Sequence, residues 1–240
     1  MDKTKKTTRR NIPVVVGHRG AQGEVIGNTR AALAWAIEHG VSEIETDSRL
    51  TSDGIIVQHH DPYFFDPTDA KHSITAHTFA DIKIADPEIM TLNEMIEFVN
   101  RRSRLMLEIK AETDPLPVIA TVRYYLSHGW QTDDFSFASF DFDILKTVHQ
   151  ELPEIDRIVL EGWSALRAIW RARQLKTSYL SMNQQYLWWG FIRWAARHNH
   201  KVYSYPYPRT RLPFNHRKPE KWVKHGLHGI ITDKPENYAR

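Results

Sequence analysis

Two histidines, an arginine, a lysine and three carboxylates fall where strand-like runs of this chain end. Val14-Val15-Val16 runs into Gly17-His18-Arg19-Gly20, and Ile44 into Glu45-Thr46-Asp47. Ile55-Ile56-Val57 runs into His59-His60-Asp61, and Leu105-Met106-Leu107 into Glu108-Ile109-Lys110. Residues two apart on a strand share a face, so Glu45 and Asp47 crowd two like charges together. A divalent cation relieves that repulsion. In a barrel, Glu108 on the third strand lies beside them, and three carboxylates suit one hard ion, Mg²⁺ or Ca²⁺. His18 and His60 flank the acidic pair and suit a general acid and a general base. His59 faces away from His60 on a strand, so only one of the two can join the site. The fork of Arg19 and the ammonium of Lys110 suit phosphoryl oxygens. These parts together describe cleavage of a phosphoric diester. Cation and arginine stabilise charge on the phosphoryl oxygens, and the two imidazoles move protons.

The elements that must position these residues alternate along the chain. Strand-like runs are Val14–Gly17, Glu43–Asp47 extended by Ile55–Val57, Leu105–Lys110, Phe135–Ala138, Arg157–Leu160, Thr177–Leu180, Lys201–Tyr205 and Gly229–Thr232. Helix-like stretches separate them, with Asn28 as N-cap of the first and Thr91 with Glu94 as a capping box further on. Eight β/α alternations in 240 residues predict a (β/α)₈ TIM barrel, whose chemistry sits at the carboxyl ends of its strands. An open doubly wound sheet would carry a Gly-x-Gly-x-x-Gly loop after its first strand, and Gly17, Gly20 and Gly23 are spaced wrongly for it. Residues 61–90, rich in Asp, Pro and Thr, read as a short excursion after the second strand.

Composition narrows the setting. The chain is 41% hydrophobic and carries 8 Trp, enough for one large core. Residues 1–11 read as a disordered basic tail and 12–240 as a single TIM-barrel phosphodiesterase domain. The apolar run after the tail is too short for a signal peptide, and no stretch is long enough to cross a bilayer. Cysteine is absent, which excludes thiolate catalysis and is compatible with a cytoplasmic location. A net charge of +3 is too mild to argue for nucleic acid but suits an anionic substrate. Trp188, Phe191, Ile192 and Ala195 are expected on one buried helical face, with Trp189 off it, where it could touch a membrane peripherally or an acyl chain. The basic stretch Arg209, Arg211, His216, Arg217 and Lys218 is expected to rim the site.

In this order the motifs resemble the glycerophosphodiester phosphodiesterase family. The resemblance rests on His18-Arg19-Gly20, Gly27-Asn28-Thr29, Glu45 with Asp47, Asp53-Gly54, His60-Asp61, Thr91-Leu92-Asn93-Glu94, Glu108 with Lys110, and Gly229 to Pro235. It implies a metal-dependent TIM barrel that hydrolyses glycerophosphodiesters to sn-glycerol 3-phosphate and an alcohol. It implies too that the glycerol 2-hydroxyl attacks phosphorus and that water then opens the cyclic phosphate. It implies catalytic His18 and His60, phosphate ligands Arg19 and Lys110, and metal ligands Glu45, Asp47 and Glu108. The chain departs from the family pattern at Gly27 and at Tyr203–Pro206, both expected near the mouth of the site. The alternatives are a lysophospholipase D acting on lysophospholipids and a silent barrel binding a phosphorylated ligand.

Overall fold

The computed structural model describes residues 13–205 and 222–238. Its strands are β1 (Val14–His18), β2 (Glu43–Leu50), β3 (Ile56–Gln58), β4 (Tyr63–Phe65), β5 (Lys71–Ser73), β6 (Arg104–Ile109), β7 (Phe135–Ser139), β8 (Asp156–Glu161), β9 (Tyr179–Asn183), β10 (Lys201–Tyr205) and β11 (Gly229–Thr232). Its helices are α1 (Arg30–Glu38), α2 (Phe79–Ala85), α3 (Leu92–Val99), α4 (Pro115–Ser127), α5 (Phe142–Glu151), α6 (Ala165–Gln174) and α7 (Trp189–Arg197). The sheet runs β1-β11-β10-β9-β8-β7-β6-β2, and β1 pairs back onto β2. All of these pairings are parallel, so the eight strands close the expected barrel.

Period-two patterning divides the core in two. Val16, Met106, Ala138, Ile158, Leu160, Tyr203 and Ile231 fill the barrel interior. The alternate residues, among them Ile44, Leu105, Leu107, Phe135 and Phe137, pack outward against the helices. On β2 and β6 the inward positions toward the carboxyl ends are charged, because the same alternation that buries Ile44 outward turns Glu45 and Asp47 inward.

The region after β2 differs from the sequence reading. Ile56–Gln58 is a separate strand, antiparallel to β2, with Arg49 opposite Val57. The stretch 61–90 is organised: β4 and β5 pair, and α2 begins at a capping box of Thr78 and Asp81. Val57, Phe64, Ile74, Ile82 and Ile89 give it its own small core. Helix α2 is seven residues long, too short to show a clear period of 3.6. No helix among the described residues is long and apolar enough to cross a membrane.

Candidate active site

Strand register assembles the site. His18 on β1 lies beside Glu45 on β2, and Asp47 lies beside Glu108 on β6. The three carboxylates are buried, and each offers one oxygen so that these atoms lie within 4.8 Å of one another. Lys110 Nζ bridges two of them, 2.6 Å from Asp47 Oδ1 and 2.5 Å from Glu108 Oε1. Arg19 Nε is 3.0 Å from Asp47 Oδ2, and the Arg19 backbone N–H donates to Glu45 Oε2 at 3.1 Å. The turn that delivers Arg19 is tight. Arg19 itself is left-handed at φ 51°, and Gly20 follows at φ 88°. A Cβ on Gly20 would sit 2.7 Å from the Ala32 carbonyl carbon, so this position excludes any other residue.

The charges in the cage are unbalanced. Burial pushes Asp47 up, but Lys110 and Arg19 outweigh it and hold the carboxyl well below its usual range. Burial and the neighbouring Asp47 push Glu45 up to about 8. Burial also raises Glu108, against the pull of Lys110. Glu45 Oε1 is buried with no hydrogen-bond partner. Such an orphaned oxygen costs free energy unless a hydrogen-bond donor or a cation meets it. Three convergent carboxylates with a spare oxygen fit one hard divalent cation, and a cation there reverses the rise of Glu45.

The histidines approach from either side. His18 Nδ1 pairs with Asp233 Oδ1 at 2.5 Å, and its Nε2 is 3.9 Å from Glu45 Oε2. Burial lowers His18, but the Asp233 bond and the Glu45 charge prevail, leaving it raised. His60 Nδ1 pairs with Asp61 Oδ1 at 2.7 Å, and burial and Lys110 lower it. Arg49 fixes this loop by donating to the His60 carbonyl from Nε and Nη2, at 3.0 and 2.7 Å. The His59 ring is turned to the Asp61 carbonyl at 3.0 Å, and the His59 backbone N–H donates to the Asp47 carbonyl at 2.8 Å. His60 lines the cavity together with His18, Arg19, Glu45, Glu108 and Lys110, while Asp47 lies buried behind them.

Three neighbours had no part in the site as read from the sequence. Asp233 orients His18, and Arg49 anchors His60. Asn28 is not a helix cap: Thr29 is, its Oγ1 accepting the Ala32 N–H at 3.3 Å. Asn28 is left-handed at φ 61° and faces Asp47. Its Nδ2 donates to Asp47 Oδ2 at 2.9 Å, and its Oδ1 accepts the Asp47 N–H at 3.3 Å. The signal for this was the Gly27-Asn28 pair itself, since Asn tolerates the left-handed region that a turn into the site needs.

Other expectations change place. Gly27 lies against Arg19, and a Cβ there would come within 2.7 Å of Arg19 Cβ. Tyr203 is not near the mouth; it is inside the opposite end of the barrel, donating to Glu43 Oε2 at 3.1 Å. Tyr205 does line the cavity. Phe191, Ile192 and Ala195 are buried on the face of α7, but Trp188 is 59% exposed. It precedes the helix, which starts at Trp189, and its ring folds over Gly190. Trp189 is exposed and lies near His225. The basic stretch Arg209 to Lys218, Pro206 and the tail 1–11 lie outside the described residues.

Barrels of this kind carry out their chemistry at this mouth. A mouth that pairs an acidic cage with Arg19, Lys110 and two imidazoles is built for phosphoric diesters, so in class the chain is a phosphodiesterase. It belongs to the glycerophosphoryl diester phosphodiesterase family, whose model matches residues 18–237. A glycerophosphodiester phosphodiesterase of Caldanaerobacter subterraneus subsp. tengcongensis is 26% identical over 244 residues, covering 93% of this chain and 95% of that one. One from Bacillus altitudinis is 29% identical over 160 residues, 61% of this chain and 65% of its own length. Among solved structures, an Oleispira antarctica phosphodiesterase in complex with the product sn-glycerol-3-phosphate superposes with a TM-score of 0.79 at 27% identity, covering 95% of each chain. The Thermotoga maritima glycerophosphodiester phosphodiesterase shares the fold, with a TM-score of 0.74 at 22% identity over 93% of this chain and 96% of that one.

Proposed function

We propose that a single barrel domain spanning residues 12–240 hydrolyses glycerophosphodiesters to sn-glycerol 3-phosphate and an alcohol, using one divalent cation and two histidines. The observation that carries this reading is the meeting of Glu45, Asp47 and Glu108 in a cavity that His18 and His60 both line. Glu45, Asp47 and Glu108 would hold the cation, Mg²⁺ or Ca²⁺, which supplies Lewis-acid stabilisation of phosphoryl charge. Arg19 and Lys110 face the same space and bind phosphoryl oxygens.

His60, pulled toward its neutral form, takes the proton of the glycerol 2-hydroxyl. The O2–P bond forms and the P–O bond to the alcohol breaks. His18, kept protonated beside Asp233, gives its proton to the departing alkoxide. Water then opens the cyclic phosphate with the two roles exchanged. Asp233 and Asp61 each hold an Nδ1, so Nε2 is the working nitrogen of both rings.

Leaving-group chemistry tests the assignment. Glycerophosphocholine and glycerophospho-p-nitrophenol are compared by release of alcohol and of glycerol 3-phosphate. In alcohol release, His18→Ala loses about 10² to 10⁴-fold on the choline ester and far less on the nitrophenyl ester, whose phenoxide needs no proton. His60→Ala loses equally on both. Equal losses for His18→Ala on the two esters would reject His18 as the acid.

A further inference from the structure

The cavity is about 470 Å³ and has two unlike halves. The ionic residues all come from β1, β2, the loop after β3, and β6. The other half is built from the ends of β7 to β10, chiefly by Phe140, Leu160, Trp163, Tyr186 and Tyr205, with Asn183 and Gln185 among them. A phosphate bound among the cations of the first half must send one of its ester substituents toward this wall.

Some polar groups of this half are engaged within the protein, as where Asn183 Oδ1 accepts the Gln185 backbone N–H at 3.0 Å. The Tyr205 hydroxyl donates to the Glu161 carbonyl at 3.1 Å, so the residue offers its ring to the cavity. Phe140 packs edge-on against that ring at 6.0 Å. The Glu161 carboxylate, fully buried, accepts from Arg167 at 2.5 and 2.7 Å. Arg171 is a second cation on the same carboxylate at 3.9 Å. Two guanidiniums share one carboxylate, so the ground behind the wall carries excess positive charge. The Arg167 guanidinium also stacks on Trp163, 5.1 Å from its ring. Aromatic rings alone would suit a quaternary ammonium. Here the local charge opposes one, and Leu160 in the barrel interior adds an aliphatic floor.

The wall continues outward. Trp163 is 65% exposed, Tyr186 47% and Phe140 45%, so apolar surface runs from the cavity floor to the rim. Exposed apolar surface contiguous with a pocket marks a place where apolar ligand is buried.

From this we infer that the β7–β10 half is a hydrocarbon subsite, and that the preferred substrates are glycerophosphodiesters carrying an uncharged aliphatic chain rather than a cationic head group. The inference rests on the diesterase reading above and names its substrate class. The chain is carried either by the departing alcohol or by the glycerol; the recognising chemistry is the same.

A substrate series separates these outcomes. Glycerophospho-n-alkanols from methyl to octyl, and 1-acyl lysophosphatidylethanolamines from short to long chain, are each assayed below their critical micelle concentrations for kcat/KM. On the arm that carries the chain, kcat/KM rises about two- to fourfold per methylene and then levels off as the chain leaves the cavity. Glycerophosphocholine is compared with its neutral isostere, the 3,3-dimethylbutyl ester, and the isostere is preferred. Trp163→Ser and Tyr186→Ser flatten the chain-length dependence. That slope is a ratio within one preparation, so a smaller folded fraction cannot mimic the loss. Turnover of short diesters with no chain-length gain on either arm, or preference for choline over its isostere, overturns the subsite and leaves the diesterase reading standing. Turnover of no diester overturns both.

Discussion

Replacing Asn28 tests whether the carboxylate cage is held in place from behind. Asn28 is 6% exposed and makes two bonds to Asp47, one to the carboxylate at 2.9 Å and one from the backbone N–H at 3.3 Å. A bond to a charged acceptor is worth about 1.5–3 kcal/mol. Asn28→Gly removes both bonds but keeps the freedom to sit at φ 61°, so it costs about 2 kcal/mol. Asn28→Ala adds about 1 kcal/mol for a Cβ in the left-handed region, giving about 3 kcal/mol. In a chain of 240 residues these losses lower Tm by about 4–8 °C and 6–12 °C respectively. The effect on the cation is separate from stability. Loss of a group that orients a metal ligand typically weakens metal affinity about 10- to 100-fold, and both variants should share that loss equally. Calorimetric titration with Mg²⁺ and Ca²⁺, alongside thermal unfolding of each variant, reads the two effects independently. Wild-type cation affinity in Asn28→Gly would refute the argument that Asn28 positions Asp47. Equal Tm values for the glycine and alanine variants would refute the backbone part alone.

Two further outcomes follow from the geometry. Arg49→Ala frees the His60 carbonyl and should lower kcat/KM about 10- to 100-fold through misplacement of the ring, with Arg49→Lys recovering part of it; steady-state kinetics on glycerophosphocholine measures both. Glu161 is buried, which raises its pKa, but the Arg167 bonds outweigh this and leave it lowered. A lowered carboxyl stabilises the fold above its unfolded value of about 4.3, and the contribution is lost as pH falls through the lower folded value. Glu161→Gln should therefore cost about 1–2 kcal/mol at pH 7, allowing for the partial exposure of Arg167, and the gap to wild type should close below about pH 4 in urea unfolding.

Much of the architecture could be read from the chain because the barrel repeats one local rule. Alternating periodicity located all eight barrel strands, and inward-facing Glu45 and Asp47 followed from spacing of two. Parallel pairing then set Glu108 beside Asp47, which needs only the strand order. What escaped were contacts made across long separations by residues with ordinary local roles. Asn28 had the composition of a cap, and the Gly27-Asn28 turn signal could not say that its partner is Asp47. Asp233 meets His18 across 215 positions, and the Gly229 to Pro235 motif that holds it does not point to that partner. Helix α2 was missed although Thr78 and Asp81 form a capping box, because its seven residues offer one buried position, Ile82. Trp188 was placed on a buried face by helical spacing that begins one residue too early, since Trp189 is where the helix starts.

The proposed reaction depends on the cage holding a cation. The direct measurement is release of sn-glycerol 3-phosphate from glycerophosphodiesters by enzyme stripped with EDTA and then resupplied with Mg²⁺ or Ca²⁺, beside Glu45→Gln and Glu108→Gln. The account predicts that stripping abolishes turnover, that one of the two ions restores it, and that neither variant is restored at the concentration that saturates wild type. Full turnover in the stripped enzyme would contradict it.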